Sequence, residues 1–297
     1  MREGKPSRTS GVVAKGLVYT YHAYPDFGLV SSETAKWACR FLDQLEKGRL
    51  LKWHRLFKYA AARQLFRLVE RCGIPGLALH QSIRKHLIAI QVRKYLDGSN
   101  NALVVIGGGL DSLALERSAS GNQEKIVELD HPWTQQTKKS VLKLYSSDTA
   151  ALHLVEFDAS EESLHEVLQS SDMSSIEAAV FVCEGVLMYL PEEKVRKLLK
   201  QVATIFPDAT LIFTFMDKGH DGSSHFAEAT LAARVWLQWA GEPFMWGCPK
   251  ADLGSLLSAC GLQLVEILDT RDWRAEGEVK HGLPVASGEY IAIAKRQ

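Results

Sequence analysis

Val104-Val105-Ile106-Gly107-Gly108-Gly109-Leu110-Asp111-Ser112 is the stretch from which the rest of the chain can be read. Ala102–Ile106 is a short apolar run rich in valine and isoleucine, as a buried parallel strand requires. Three glycines follow it, and a helical pattern begins at about Asp111. Glycine turns the backbone tightly and lets it approach a ligand with no Cβ in the way. Amides at the start of a helix then face that ligand. Outward from this point, strands and helices alternate. Lys125–Leu129, Leu152–Phe157, Ala178–Cys183 and Thr210–Phe215 read as further strands. Pro132 opens one intervening helix, and another runs from about Pro191 to Ile205. Leu262–Leu268 and Glu289–Ala294 read as two late strands, and the unbroken apolar run of Ala178–Cys183 predicts a central place. The alternation predicts an α/β fold, a mostly parallel sheet with helices on both faces.

Before Asn100 the chain reads as helix, with almost no strand signal. Ser31-Ser32-Glu33 can cap a helix running toward Lys47, with Trp37, Phe41 and Leu45 on one face. A second helix is expected over roughly His54–Arg71, stopping at Gly73-Ile74-Pro75-Gly76, and a third from about Leu77 to Tyr95. Asp217–Gly254 breaks the later rhythm and carries Trp236, Trp239, Phe244 and Trp246 among helix formers. Residues 1–97 and an insertion at about 217–254 are expected to cap a core spanning 98–297. They would cover the carboxyl ends of the strands, where open α/β sheets take their ligands.

Lys and Arg number 35, and Asp and Glu number 35. A chain with no net charge has no global field to draw in nucleic acid or an anionic membrane, and any polyanion would need a local basic patch. The five cysteines are scattered and form no C-x-x-C pair. Neither a disulfide framework nor a metal site is expected, and a cytoplasmic location fits. Met1–Ser10 has no apolar run behind it, and no apolar stretch reaches the ~18 residues of a membrane span.

The glycine loop admits two ligand classes. A dinucleotide fold wants G-x-G-x-x-G, and Ser112 stands at the third glycine position. The loop reads instead as G-x-G-x-D, through Gly107, Gly109 and Asp111. An acid inside the loop repels a pyrophosphate. It suits a ligand with an ammonium group, such as the methionine part of S-adenosylmethionine. Asp130 ends the second strand and can accept from two adjacent ribose hydroxyls. NAD enzymes use that position too, and a plain helix cap ahead of Pro132 is the other reading. Phe157-Asp158 closes the third strand, where an aromatic ring and a carboxylate can meet an adenine. A surface acid at a strand end is the alternative there.

Four stretches together resemble one family. Gly107-Gly108-Gly109-Leu110-Asp111-Ser112 is similar to its G-x-G-L-D-T loop, and Glu128-Leu129-Asp130-His131-Pro132 to its E-x-D-x-P. Cys183-Glu184-Gly185-Val186-Leu187-Met188-Tyr189-Leu190-Pro191 is similar to its E-G-x-L-M-Y-L motif, and Ile83-Arg84-Lys85-His86 resembles the arginine-bearing helix before its first strand. The chain thus resembles the leucine carboxyl methyltransferase-like group of class I S-adenosylmethionine-dependent methyltransferases over about residues 80–215. The resemblance implies a Rossmann-like, seven-stranded, mostly parallel sheet whose last strand is antiparallel. It implies S-adenosyl-L-methionine as cofactor, with Arg84 on the methionine carboxylate and Gly107 along the methionine and ribose. Gly109 and Asp111 of the same loop are expected to bind it too, Asp111 near the ammonium by the reading of the loop above. Asp130 would hold the ribose, Asp158 the adenine end, and Glu184 would lie beside the cofactor. The chain departs from the pattern at Leu113, where arginine is common, and at Ala159, where leucine is usual.

The methyl acceptor is left open. The family includes protein carboxyl methyltransferases and natural-product O-methyltransferases, so the acceptor is expected to be a carboxyl or hydroxyl, on a small molecule ahead of a protein C-terminus. A relative that binds cofactor without transfer is the third alternative. Tyr24, Tyr189 and Trp246 are the candidate substrate contacts, with packing as the plain alternative for each. The ten histidines, His22, His131, His220 and His225 among them, supply no base by pattern alone. The protein is expected to be a monomer or weak homodimer, with neither nucleic acid nor membrane as partner.

Overall fold

The computed structural model describes residues 7–96, 101–120, 124–145, 152–169, 173, 176–219, 222–274 and 282–297. Four helices come first: α1 (Arg8–Ala23), α2 (Ser32–Leu45), α3 (Ala60–Cys72) and α4 (Leu77–Tyr95). The alternating part follows as β1 (Asn101–Ile106), α5 (Leu113–Ser118), β2 (Lys125–Asp130), α6 (Pro132–Tyr145), β3 (Leu152–Glu156), α7 (Leu164–Gln169), β4 (Ala178–Cys183), α8 (Glu192–Ile205) and β5 (Asp208–Met216). The chain closes with α9 (Leu231–Ala240), α10 (Lys250–Ser258), β6 (Leu262–Leu268) and β7 (Glu289–Arg296).

The strands form one seven-stranded sheet in the order β3-β2-β1-β4-β5-β7-β6. β1 to β5 pair in parallel, and β7 runs antiparallel to both β5 and β6. β4 holds the centre, as its unbroken apolar sequence predicts. Alternate residues of each strand feed opposite faces. Val104 and Ile106 join the apolar layer under α7, α8 and α10. Leu103 and Val105 join the layer under α1, α2, α4 and α6. The order reverses between β1 and β4, which opens a crevice at their carboxyl ends. No described helix is long and apolar enough to cross a membrane.

The N-terminal third differs from its sequence reading in two places. α1 lies ahead of the first of the three helices expected, and Gly11 and Gly16 interrupt its apolar pattern. Those glycines are contact points: a Cβ on Gly16 would lie 2.9 Å from Gln81 Oε1 and 3.3 Å from Ala78 Cα of α4. Ser7 caps the helix by accepting from the Ser10 amide at 3.2 Å. The helix expected over His54–Arg71 is split into a short turn at Trp53–Leu56 and α3. The cause is tertiary. His54 is buried between Asp43 (3.2 Å) and Glu46 (3.3 Å) of α2 and its flank, which holds the turn apart from α3.

Under the glycine loop lies a buried ion pair. Lys138 Nζ of α6 is 2.7 Å from both carboxylate oxygens of Glu128 on β2. Neither side chain is more than 1% exposed. Burial pushes the Glu128 carboxyl up to about 7, against the pull of Lys138. Removing one partner of such a pair strands the other. Lys138→Met is expected to cost about 3–5 kcal/mol in urea unfolding, and Glu128→Leu added to it is expected to recover most of that loss.

Candidate active site

A cavity of about 1030 Å³ opens at the carboxyl ends of β1 to β4. Its floor is the glycine loop. Gly107 has φ +72° and Gly109 φ +54°, both in the left-handed region. A Cβ on Gly107 would sit 2.1 Å from Val186 Cγ2, and one on Gly108 2.5 Å from Glu128 Cδ. Both positions therefore exclude any larger residue. The Gly107 amide donates to Leu129 O at 2.7 Å, which binds the loop to the end of β2.

Asp130, at the last position of β2, turns back on the loop. Its carboxylate accepts from the Gly109 amide at 2.5 Å and the His131 amide at 2.6 Å. Burial lifts its carboxyl above the ordinary range against those two bonds. Each oxygen keeps lone-pair capacity for a ligand hydroxyl. Asp158 follows β3 and lines the same cavity. Its Oδ1 accepts from the amide (2.9 Å) and hydroxyl (2.6 Å) of Ser160, while Oδ2 lies 3.8 Å from His131 Nε2.

The far wall is a charge cluster. Arg84 of α4 donates from Nε to Glu184 Oε1 at 2.8 Å, and its Nη2 is 2.6 Å from the same oxygen. Nη1 donates to Glu289 Oε2 of β7 at 2.6 Å. A guanidinium has five N–H groups, so donors on Nη1 and Nη2 are left for a ligand carboxylate. Lys85 Nζ is 3.0 Å from Asp111 Oδ2 and 3.1 Å from Glu184 Oε2. His80 joins Glu289 Oε2 (2.9 Å) to the Thr270 hydroxyl (2.8 Å). Two permanent cations thus face three carboxylates. Burial alone would lift Glu289, but Arg84 and His80 outweigh it and hold the carboxyl down at about 2. Asp111 is likewise held below its ordinary range, burial being outweighed by Lys85 and then Lys138.

Arg84, Gly107, Gly109, Asp111, Asp130, Asp158, Glu184 and Tyr189 all line this cavity. Tyr24 and Trp246 are not among its lining residues. Tyr24 stacks on Phe27 with centroids 5.4 Å apart, and Trp246 is buried in the apolar layer. Their aromatic character marked them, but packing uses it. His220 lies outside the described residues. Lys85, Glu289 and His80 were not assigned by sequence reasoning. A lone acid opening the apolar run Glu289–Ala294 was the available signal for one of them.

The other half of the cavity is apolar. Val13, Ile74, Leu77, Met188, Phe244 and Trp236 line it, beyond Tyr189. Two carboxylates also face it, and each caps a helix. Glu242 accepts from the Arg8 and Thr9 amides of α1, both at 3.0 Å, and Glu70 accepts from the Ala78 amide of α4 at 2.7 Å. Among the described residues, no group of His, Cys, Asp and Glu is arranged to hold a metal ion.

A model of the family described as leucine carboxyl methyltransferase matches residues 34–203, more than half of the chain. The curated protein named "Putative S-adenosyl-L-methionine-dependent methyltransferase YktD", of Bacillus subtilis (strain 168), is 26% identical over 174 residues, covering 57% of this chain and 56% of YktD. The chain therefore aligns with about half the length of that relative. Among solved structures, magnesium protoporphyrin IX methyltransferase of Synechocystis PCC 6803 with bound SAH has a TM-score of 0.44 at 15% identity, covering 79% of this chain and 94% of that one. Human N-acetylserotonin methyltransferase in complex with SAM has a TM-score of 0.45 at 15% identity, covering 94% of this chain and 70% of that one. Likenesses at this level carry no argument about substrate or site.

The charge cluster has a consequence for acid stability. A carboxylate held below its unfolded value stabilises the fold above that value, and the contribution is lost as pH falls through the folded one. For Glu289 the window runs from 4.5 down to about 2. Urea unfolding is expected to show stability falling across this window. Glu289→Gln should be less stable at pH 7 and should lose less on going to pH 3. An unchanged pH slope in that variant would remove Glu289 from the acid response.

Proposed function

We propose a methyl-transfer function that proceeds from membership: the chain belongs to the leucine carboxyl methyltransferase family. Its cofactor is S-adenosylmethionine, which supplies an electrophilic methyl group on a sulfonium. The residues present fit that molecule. It carries one net positive charge, from a sulfonium, an ammonium and a carboxylate, and the cluster of two cations and three carboxylates is the complement. We assign the free N–H groups of Arg84 to the carboxylate, Asp111 and Glu184 to the neighbourhood of the ammonium, and Asp130 to the ribose. The backbone of Gly107 and Gly109 lies along the chain between them, and Asp158 closes the adenine end.

The acceptor in this reading is a hydroxyl on an apolar small molecule. The observation that carries it is the state of the cations along the cavity. Arg84 and Lys85 are held by Glu184, Glu289 and Asp111, and Lys15 pairs with Glu46 at 2.7 Å. Among the described lining residues this leaves no lysine or arginine for a second carboxylate. Glu70 and Glu242 add negative charge to that half, which disfavours a C-terminal tail. Burial pushes the Tyr189 hydroxyl far up, so it stays protonated and can orient the acceptor by donating to its oxygen. As that oxygen takes the methyl group and S-adenosylhomocysteine is left, the acceptor's hydroxyl proton would pass to Glu70, whose carboxyl burial lifts above its ordinary range. The rest of the work is alignment and exclusion of water by the apolar wall, which can supply about 7–11 kcal/mol. The five cysteines are free thiols, in keeping with a reducing cytoplasm as the place of action.

Methyl-labelled cofactor offered with panels of phenols, of carboxylic acids and of peptides ending in a free carboxylate tests this reading. Label on phenols is the expected result. Label confined to peptides would overturn it, and cofactor binding with no transfer to any panel would leave a binding protein. Separately, Asp130→Ala is expected to weaken S-adenosylhomocysteine by about 1–3 kcal/mol in calorimetry. An unchanged dissociation constant would remove Asp130 from the ribose site.

A further inference from the structure

The zero net charge of the chain hides a strong segregation. Between Asp43 and Arg71 there are eight lysines and arginines against three carboxylates, and the remaining residues hold 27 against 32. This basic segment also carries seven exposed large apolar side chains. Leu50 is fully exposed, and Leu51, Trp53, Tyr59, Leu65, Leu68 and Val69 are each at least 44% exposed. α3 is amphipathic in sequence yet buries no residue. The segment is nonetheless anchored. Phe57 packs edge-on against Phe66 at 5.0 Å and Tyr19 at 5.8 Å, and Arg55, Lys52 and His54 hold Asp43.

The surface also adjoins the site. Phe66 and Val69 of α3 line the cavity, as do Trp236 and Leu237 of α9. Thr230 ties the two helices: its hydroxyl donates to Cys72 O at 2.8 Å and its amide to Gly73 O at 3.1 Å. α9 buries only Ala240 and exposes Leu231, Val235 and Trp239. The apolar wall of the acceptor half therefore runs out between α3 and α9 onto the basic, apolar face.

We propose that this face, residues 47–71 with the outer side of α9, docks the protein on a membrane surface rich in anionic phospholipid. Exposed leucines and a tryptophan among lysines and arginines suit an interface whose outer layer is anionic and whose inner layer is apolar. A nucleic acid would use the cations but leave Leu50, Leu51, Leu65 and Leu68 in water. Docked this way, the cavity mouth meets the lipid, and an apolar acceptor enters from it. That last step rests on the acceptor reading above, whereas docking itself does not.

The test is co-sedimentation of the full chain with vesicles of phosphatidylcholine alone and of phosphatidylcholine mixed with phosphatidylglycerol. Binding to the mixed vesicles, weakened by ~0.5 M salt, is expected. Leu50→Glu with Leu51→Glu should reduce it roughly tenfold or more, while Leu144→Glu, an exposed leucine on α6, should not change it. Equal binding to both vesicle types, no binding, or insensitivity to the paired substitution would overturn the proposal. So would capture of single-stranded RNA without capture of vesicles. If vesicle binding follows this pattern and no phenol is methylated, docking stands and the acceptor reading falls. If phenols are methylated and vesicles are ignored, the reverse holds.

Discussion

A guanidinium buried in protein must keep its carboxylates, and Arg84 keeps two that are far apart in sequence. Glu184 directly follows the central strand and Glu289 begins the last one, with α4 bridging them from outside the sheet. Lys85, the next residue, reaches Glu184 and the acid of the glycine loop. A single turn of α4 thus registers the carboxyl ends of β1 and β4 and the amino end of β7 against each other. An ion network of this kind is a costly way to gain stability, since desolvation opposes it. It makes sense as a site in which both signs of charge are already fixed before a charged ligand arrives.

The glycine loop is held from below as firmly as from the side. Lys138 and Glu128 sit beneath Gly108, Leu129 O accepts from Gly107, and Asp130 accepts from Gly109. Asp130 is the hinge between structure and chemistry here. The same carboxylate that fixes the loop lines the cavity, so a ligand reaching it would meet a side chain already tied to the loop. Such preorganisation spares a ligand the ordering of the loop.

The lid over the cavity is built from parts with little local reason to be where they are. α1 starts above Gly109 because Glu242, more than two hundred residues later, caps its first amides. The segment that bears Glu242 is tied down in turn, since the Met245 and Trp246 amides both donate to Met188 O. Both ends of the chain's irregular regions therefore converge on the motif after β4. The amphipathic helix α3 and the more apolar α9 complete the rim, with their outer faces exposed.

By itself the sequence determined the α/β core. Ala102–Ile106 and Ala178–Cys183 are apolar on both faces, as the inner strands of a parallel sheet require. It also determined the glycine loop and Asp130, because tight turns and strand-end acids are local requirements that one residue type satisfies. Only the tertiary structure decided the rest. Glu289 and His80 belong to the charge cluster through contacts across some two hundred residues of chain, and no spacing rule links them. Tyr24 and Trp246 had the composition of ligand contacts, yet packing claims them, since an aromatic ring is equally at home in either place. The balance of 35 charges against 35 was legible from the start. That eight of the cations stand together with exposed leucines beside the cavity mouth became visible only when burial separated side chains that face water from side chains that do not.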